Sequence, residues 1–145
     1  MIKRVGEAVQ PGQHYRLRPG AYAILRRADS ILLTQQSEPR PELQLPGGGF
    51  EPTEHTLPAL HREVLEETGW TMRVHRRIGA FRRFTYMPEY DLWAEKLCTI
   101  YLGRPVQRKC APTDAGHIPV WLPLVEAAHM IENSGDRAFV ASLLR

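Results

Sequence analysis

Apolar positions in this sequence change period several times, and each change marks an element. Ala21-Tyr22-Ala23-Ile24-Leu25 and Ile31-Leu32-Leu33-Thr34 are apolar runs of strand length. Ala28-Asp29-Ser30 between them has hairpin-turn chemistry. Leu43-Gln44-Leu45 alternates as a short strand, and Pro46-Gly47-Gly48-Gly49 stops it. The period then becomes helical. Leu57, Leu60 and Val64 follow steps of three and four, predicting a helix over 56–68. Thr56 is its expected N-cap, Pro58 suits its first turn and Gly69 is its C-terminal stop.

Beyond the helix, residues 71–85 mix Val74, Ile78, Phe81 and Phe84 with five arginines and predict one or two strands. Residues 92–102 predict a long strand and 117–122 a short one. Residues 124–132 predict a helix broken at Asn133-Ser134-Gly135, with Asp136 capping a last helix over 137–144. Residues 1–18 are weakly patterned and are expected to form a leader or edge strand. Strands, one central helix, strands and C-terminal helices make an α/β chain, with a mixed sheet packed between helices.

Composition narrows this picture. The chain has 145 residues, the size of one domain, so residues 1–145 are expected to form a single unit. No apolar run approaches a membrane span, and MIKRVGEAVQ lacks the apolar stretch of a signal peptide. Cys98 and Cys110 have no metal-binding or redox spacing and suit the reducing cytoplasm. The formal net charge is +3, and its distribution matters more than its sum. Residues 48–70 hold Glu51, Glu54, Glu63, Glu66 and Glu67 against Arg62 alone, leaving 18 basic and 11 acidic residues elsewhere. An acidic cluster in a basic surround suits a divalent cation holding a polyanion. The pI of about 9.1 raises the question of nucleic acid. The basic residues are interleaved with acids and no binding motif accompanies them, so no nucleic-acid partner is expected.

Glu63, Glu66 and Glu67 stand at i, i+3 and i+4, on one side of the predicted helix. They repel one another and occupy the last turns, against the helix macrodipole. A cation would offset both penalties, and oxygen donors at this density suit Mg²⁺, or Mn²⁺ as the alternative, rather than zinc. A solvated acidic face is the bland alternative for such a run taken alone. Pro46-Gly47-Gly48-Gly49 lets backbone approach a ligand. It lacks the Gly-Lys-Ser/Thr ending of a Walker-type phosphate loop. The six histidines show no HxxxH or HExxH spacing, and none is assigned a catalytic role.

Taken together, these residues have a specific spacing. Gly48, Glu54, Arg62-Glu63-Val64, Glu66-Glu67 and Gly69-Trp70 resemble a complete Nudix box, led in by Gln44-Leu45-Pro46-Gly47. The box covers 23 of the 145 residues, with Trp70 where an aliphatic side chain is usual. The resemblance implies an α/β/α sandwich with a mixed sheet. It also implies Mg²⁺-dependent hydrolysis of a nucleoside diphosphate linked to another moiety. By match to the motif, Glu63 and Glu67 would be the principal metal ligands, and Glu66 a further ligand or the base that activates water. A carbonyl of Gly47 or Gly48 would complete part of the shell, with Arg62 and Glu54 as orienting partners. Family members often add an acidic residue from a loop before the penultimate strand. Asp114 is the candidate, with Glu89, Asp91 and Glu95 as rivals.

Specificity lies outside the box. Arg73, Arg76, Arg77, Arg82 and Arg83 fall within eleven residues that contain no acid. They offer either phosphate contacts or the wet face of two strands. Phe84, Tyr86, Tyr90 and Trp93 offer rings for stacking a base, or core and edge packing. Arg82, Arg83 and Tyr86 are the candidate substrate-binding residues. Tyr86, 16 residues beyond Trp70, is similar in place to a tyrosine of dinucleoside-polyphosphate hydrolases; Pro88 lies near a proline associated with ADP-ribose enzymes. The expected substrate is therefore a nucleoside triphosphate, a dinucleoside polyphosphate or an ADP-ribose-like molecule. A homodimer is compatible with the family. The competing reading is a non-catalytic, nucleotide-sensing Nudix-like regulatory domain, and such domains usually lose box carboxylates that this chain keeps.

Overall fold

A computed structural model describes residues 2–144. Its strands are β1 (Lys3–Val5), β2 (Arg16–Arg27), β3 (Ser30–Gln36), β4 (Glu42–Gln44), β5 (Gly47–Gly49), β6 (Trp70–Met87), β7 (Leu92–Arg108) and β8 (His117–Pro123). Its helices are α1 (Thr56–Thr68), α2 (Leu124–Met130) and α3 (Ser134–Ser142). The main strand order is β1-β6-β7-β2-β3-β4, with β5 added to β2 and β8 to β3. β1 runs parallel to β6 and β2 parallel to β7, while β2–β3, β3–β8 and β6–β7 are antiparallel. The sheet is therefore mixed, as the element order predicts.

Both faces of the sheet's centre are covered. Ala21, Ala23, Leu25 and Leu32 pack with Leu60 and Val64 of α1. The alternate positions Ile24, Ile31 and Leu33 pack with Leu124 and Ala127 of α2 and Val140 of α3. This double burial explains why β2 and β3 are continuous apolar runs, not alternating ones.

Several local expectations need correction. His55, not Thr56, is the N-cap of α1, and no side chain caps it; Thr56 is already helical. Leu57 is 40% exposed, so the buried stripe of α1 is Ala59, Leu60, Val64, Glu67 and Thr68. The three glycines do not simply end β4: they form β5, with Gly47 opposite Tyr22. Residues 71–85 belong to one 18-residue strand whose register shifts three times against β7. Asn133, not Asp136, caps the last helix, its Oδ1 accepting from the N–H groups of Gly135 and Asp136. The expectation of Gly69 as the stop of α1 agrees with the structure. Gly69 is left-handed (φ 79°) and its N–H donates to Leu65.

Candidate active site

The last turns of α1 lie across the β2–β5 junction, and this packing sorts the three glutamates. Leu60 and Val64 anchor α1 in the core, which draws Glu67 inward to 4% exposure. Glu67 Oε1 accepts the Gly47 N–H at 3.0 Å. Gly47 has φ 142°, and a Cβ there would meet the Ala21 carbonyl oxygen at 2.2 Å. Only glycine brings that N–H so close to the helix. Glu63 lies over Gly48, where an added Cβ would come within 3.1 Å of its carboxyl carbon.

Arg62 organises the outer side. Its guanidinium is 3.1 Å from Glu54, 3.3 Å from Glu63 and 3.3 Å from Glu66. Glu54 also accepts the Glu51 N–H, and that bond, aided by Arg62, holds its carboxyl below the ordinary range. Arg62 thereby ties three carboxylates of the predicted set into one arrangement.

The loop before β8 supplies the fourth carboxylate. The N–H groups of Thr113 and Asp114 both donate to the Glu66 carbonyl at 2.9 Å, fastening this loop to the end of α1. Asp114 thereby joins Glu67 and His117 in a compact group whose ligand atoms all lie within 4.8 Å of one another. The rival acids are engaged elsewhere: Glu95 pairs with Arg82 at 3.3 Å, Asp91 accepts from the Tyr86 hydroxyl and Glu89 lines a separate cavity. Sequence reasoning missed His117. The only signal was its three-residue spacing from Asp114.

The electrostatics of this cluster fit a cation. Burial pushes Glu67 up to about 9; the Gly47 N–H opposes that rise, while Glu63, Asp114 and Glu66 add to it. Burial likewise raises Glu63, against the pull of Arg62. Converging acids buried this far need either protons or a positive ion, and the donor set of carboxylates plus one imidazole fits a divalent metal. The contribution shown for Gly47 is its N–H to Glu67.

A cavity of about 430 Å³ opens on the other face of the sheet. Tyr22 lines it, and Tyr22 is the register partner of Gly47. The cavity and the carboxylate cluster thus flank the same β2–β5 junction. Arg83 and Tyr86 line the cavity together with Gln36, Gln44, Lys96 and Asp136. The structure separates Arg82 from Arg83: Arg82 pairs with Glu95 and lies over Phe84. Arg73, Arg76 and Arg77 are exposed, matching the wet-face reading. Tyr90 lies under Arg18 outside the lining, and Trp93 packs with Tyr15 and Tyr86. Asp136, read from sequence as a cap, is instead a buried cavity residue. Burial lifts its pKa to about 7 against the pull of Lys96 and Arg83, and among the described residues its Oδ1 has no hydrogen-bond partner.

A carboxylate-bearing helix beside a glycine strand, on a mixed sheet between helices, fits the NUDIX domain. The sequence pattern of that domain matches residues 16–143, and the chain belongs to this family. A Bacillus subtilis (strain 168) protein provisionally named 8-oxo-dGTP diphosphatase is 36% identical over 75 residues, or 51% of this chain. The match spans 50% of that relative's length. A solved NUDIX hydrolase from Nitrosomonas europaea superposes with a TM-score of 0.73 at 22% identity, covering 89% of each chain. The MutT protein of Methanosarcina mazei Go1 superposes with a TM-score of 0.74 at 23% identity, covering 92% of this chain and 97% of that one. At these identities the structural likeness shows the fold.

Proposed function

We propose that this chain is a Mg²⁺-dependent pyrophosphohydrolase that cleaves a nucleoside diphosphate linked to another moiety, with a nucleoside triphosphate as the substrate class. The observation that carries the reading is Glu67, buried beneath the Gly47 N–H and converging with Glu63 and Asp114. The family and the B. subtilis relative's name support it.

Glu63 and Glu67 would hold the cation, joined by Asp114, Glu66 and a carbonyl of Gly47 or Gly48. A bound divalent cation supplies charge neutralisation for the phosphates and lowers the pKa of a coordinated water. Glu66 is half-buried, the most accessible member of the trio, and is the residue that takes the proton from the attacking water. Arg62 and Glu54 keep Glu66 and Glu63 in place. The cavity receives the nucleoside. Arg83 and Lys96 add positive charge there, Tyr86 offers a ring, and Asp136 with Gln36 and Gln44 offers polar atoms to a base edge. A volume of about 430 Å³ holds one nucleoside, and the triphosphate reading draws on the B. subtilis relative's name.

Residues 1–145 act as one domain in this reading, supported by a sheet drawn from Lys3 through Pro123. Both cysteines are free, which supports the cytoplasm, and no helix among the described residues is long and apolar enough to cross a membrane. The protein works on a small nucleotide and not on nucleic acid, with homodimerisation open to sedimentation. The test is phosphate or pyrophosphate release from a nucleotide panel with and without Mg²⁺. Native activity on a triphosphate, lost in Glu67→Gln, is expected. Turnover of no nucleotide would overturn the reading in favour of a sensor.

A further inference from the structure

Three features place His117 apart from the other histidines. It opens β8, opposite Gln36 of β3, and its side chain is 11% exposed. Its Nδ1 is 3.0 Å from the hydroxyl of the fully buried Thr34. Its Nε2 therefore faces the carboxylates, 3.6 Å from Glu67 Oε2 and 3.7 Å from Asp114 Oδ2. Those separations are too long for hydrogen bonds. Two ligand atoms each about 2.1–2.2 Å from one ion, at angles between octahedral and tetrahedral, stand about 3.0–3.6 Å apart. The imidazole is thus spaced to share an ion with each carboxylate after closing by about a tenth of an ångström, and the three ligand atoms together lie within 4.8 Å of one another.

A second observation points the same way. Glu67 is buried, its Oε1 is taken by Gly47, and among the described residues no hydrogen-bond donor reaches its Oε2. A carboxylate oxygen without a donor, on a side chain only 5% exposed and aimed at a ring nitrogen and a further carboxylate, is open to a central positive partner. The three residues are also held in place beforehand. Thr113 and Asp114 are bonded to the α1 carbonyl of Glu66, the His117 N–H donates to the Asp114 carbonyl, and Gly116 accepts from Ser37.

We propose that His117 is a metal ligand that, with Glu67 and Asp114, forms a mixed nitrogen–oxygen position selecting Mn²⁺ over Mg²⁺. Magnesium favours an all-oxygen shell, whereas imidazole nitrogen favours the later divalent ions. Thr34 engages Nδ1 and so orients Nε2, as groups behind ligating histidines do. The proposal rests on reading the cluster as a cation site, but it does not require that site to be hydrolytic.

The test is direct cation binding to the nucleotide-free chain, with pulsed electron paramagnetic resonance of bound Mn²⁺. Native protein is expected to bind Mn²⁺ at least about tenfold more tightly than Mg²⁺ and to show nitrogen modulation from a directly bound ring. His117→Gln should lose that modulation and about tenfold or more in Mn²⁺ affinity, while Mg²⁺ affinity moves less than about threefold. A chain with His14, His55, His61, His75 and His129 all replaced by Gln should keep the modulation, which decides the matter even if His117→Gln fails to fold. Bound Mn²⁺ without nitrogen modulation overturns the assignment and leaves the hydrolase reading standing on its carboxylates. Tighter cation binding by His117→Gln also overturns it, because that marks His117 as a counter-ion displaced by metal. Binding of neither ion by the native chain overturns both readings.

Discussion

Two buried carboxylates on opposite faces of the sheet invite comparison. Glu67 lies in the last turn of α1 and sits among Glu63, Glu66 and Asp114, with the Gly47 N–H as its one hydrogen-bond donor among the described residues. Asp136 lies in the first turn of α3 and sits among Lys96, Arg83 and Glu42, with its Oδ1 unpartnered among the described residues. Burial raises both pKa values, to about 9 and about 7. Their neighbours differ: like charge adds to the rise at Glu67, whereas two cations restrain it at Asp136. The first environment is relieved by protons or by a positive ion. The second keeps a carboxyl near neutrality, able to donate to a base as well as accept from it. The carboxylate cluster and the cavity thereby lie on separate faces and meet at the β2–β5 junction and where Gln36 of β3 pairs with His117 of β8.

The comparison is sharpest in kinetics. Glu67→Gln should lower kcat by about 10³- to 10⁴-fold with little change in KM for a nucleoside triphosphate. A change confined to KM would erase the distinction between the two faces.

Glu63 and Glu67 are raised as well, so in the ligand-free chain it is the difference in pH-dependent stability between native protein and Asp136→Asn that isolates the second carboxyl. The folded pKa of Asp136 lies above its unfolded value near 3.8, so folding favours the protonated form. Its contribution is complete below that unfolded value and is lost as pH rises through about 7, amounting to about 4 kcal/mol across the window. Lys96 and Arg83 oppose this loss and Glu42 adds to it. Urea midpoints should therefore fall from pH 4 to pH 8 in native protein, and fall less in Asp136→Asn. Parallel slopes would show that Asp136 ionises inside the fold without penalty.

A smaller effect separates recognition from chemistry. Asp136→Ala should raise KM for the nucleoside triphosphate about tenfold, the loss of one hydrogen bond to the base, with kcat nearly unchanged. Hydrolysis of inorganic tripolyphosphate, which has no base, should not respond. The smallest effect is expected at Leu57, whose side chain is exposed although its spacing suggests core. Leu57→Ser should shift stability by less than about 0.5 kcal/mol, measured by thermal melting.

The two faces also differ in how far sequence predicted them. The carboxylate helix was readable because its spacing is a local property: 3.6 residues per turn puts Glu63, Glu66 and Glu67 together whatever the rest of the chain does. Gly69 as the stop was readable for the same reason. Leu57 and the N-cap at His55 were misplaced because periodicity finds a face but not its edges, which depend on where the sheet ends. The cavity was hidden because β2, β3, β4, β6, β7 and α3 each supply part of its lining. Arg82 and Arg83 look alike in sequence, yet strand alternation sends one to Glu95 and the other into the cavity.

By itself, the order of residues determined the helix, its acids, its glycine neighbours and the chemistry they suit, since those depend on short-range geometry. Only tertiary structure decided that His117 meets Glu67 and Asp114 and that Asp136 is sealed beside Lys96 and Arg83. Both outcomes depend on contacts between segments far apart in the chain, where packing and strand register choose the neighbours.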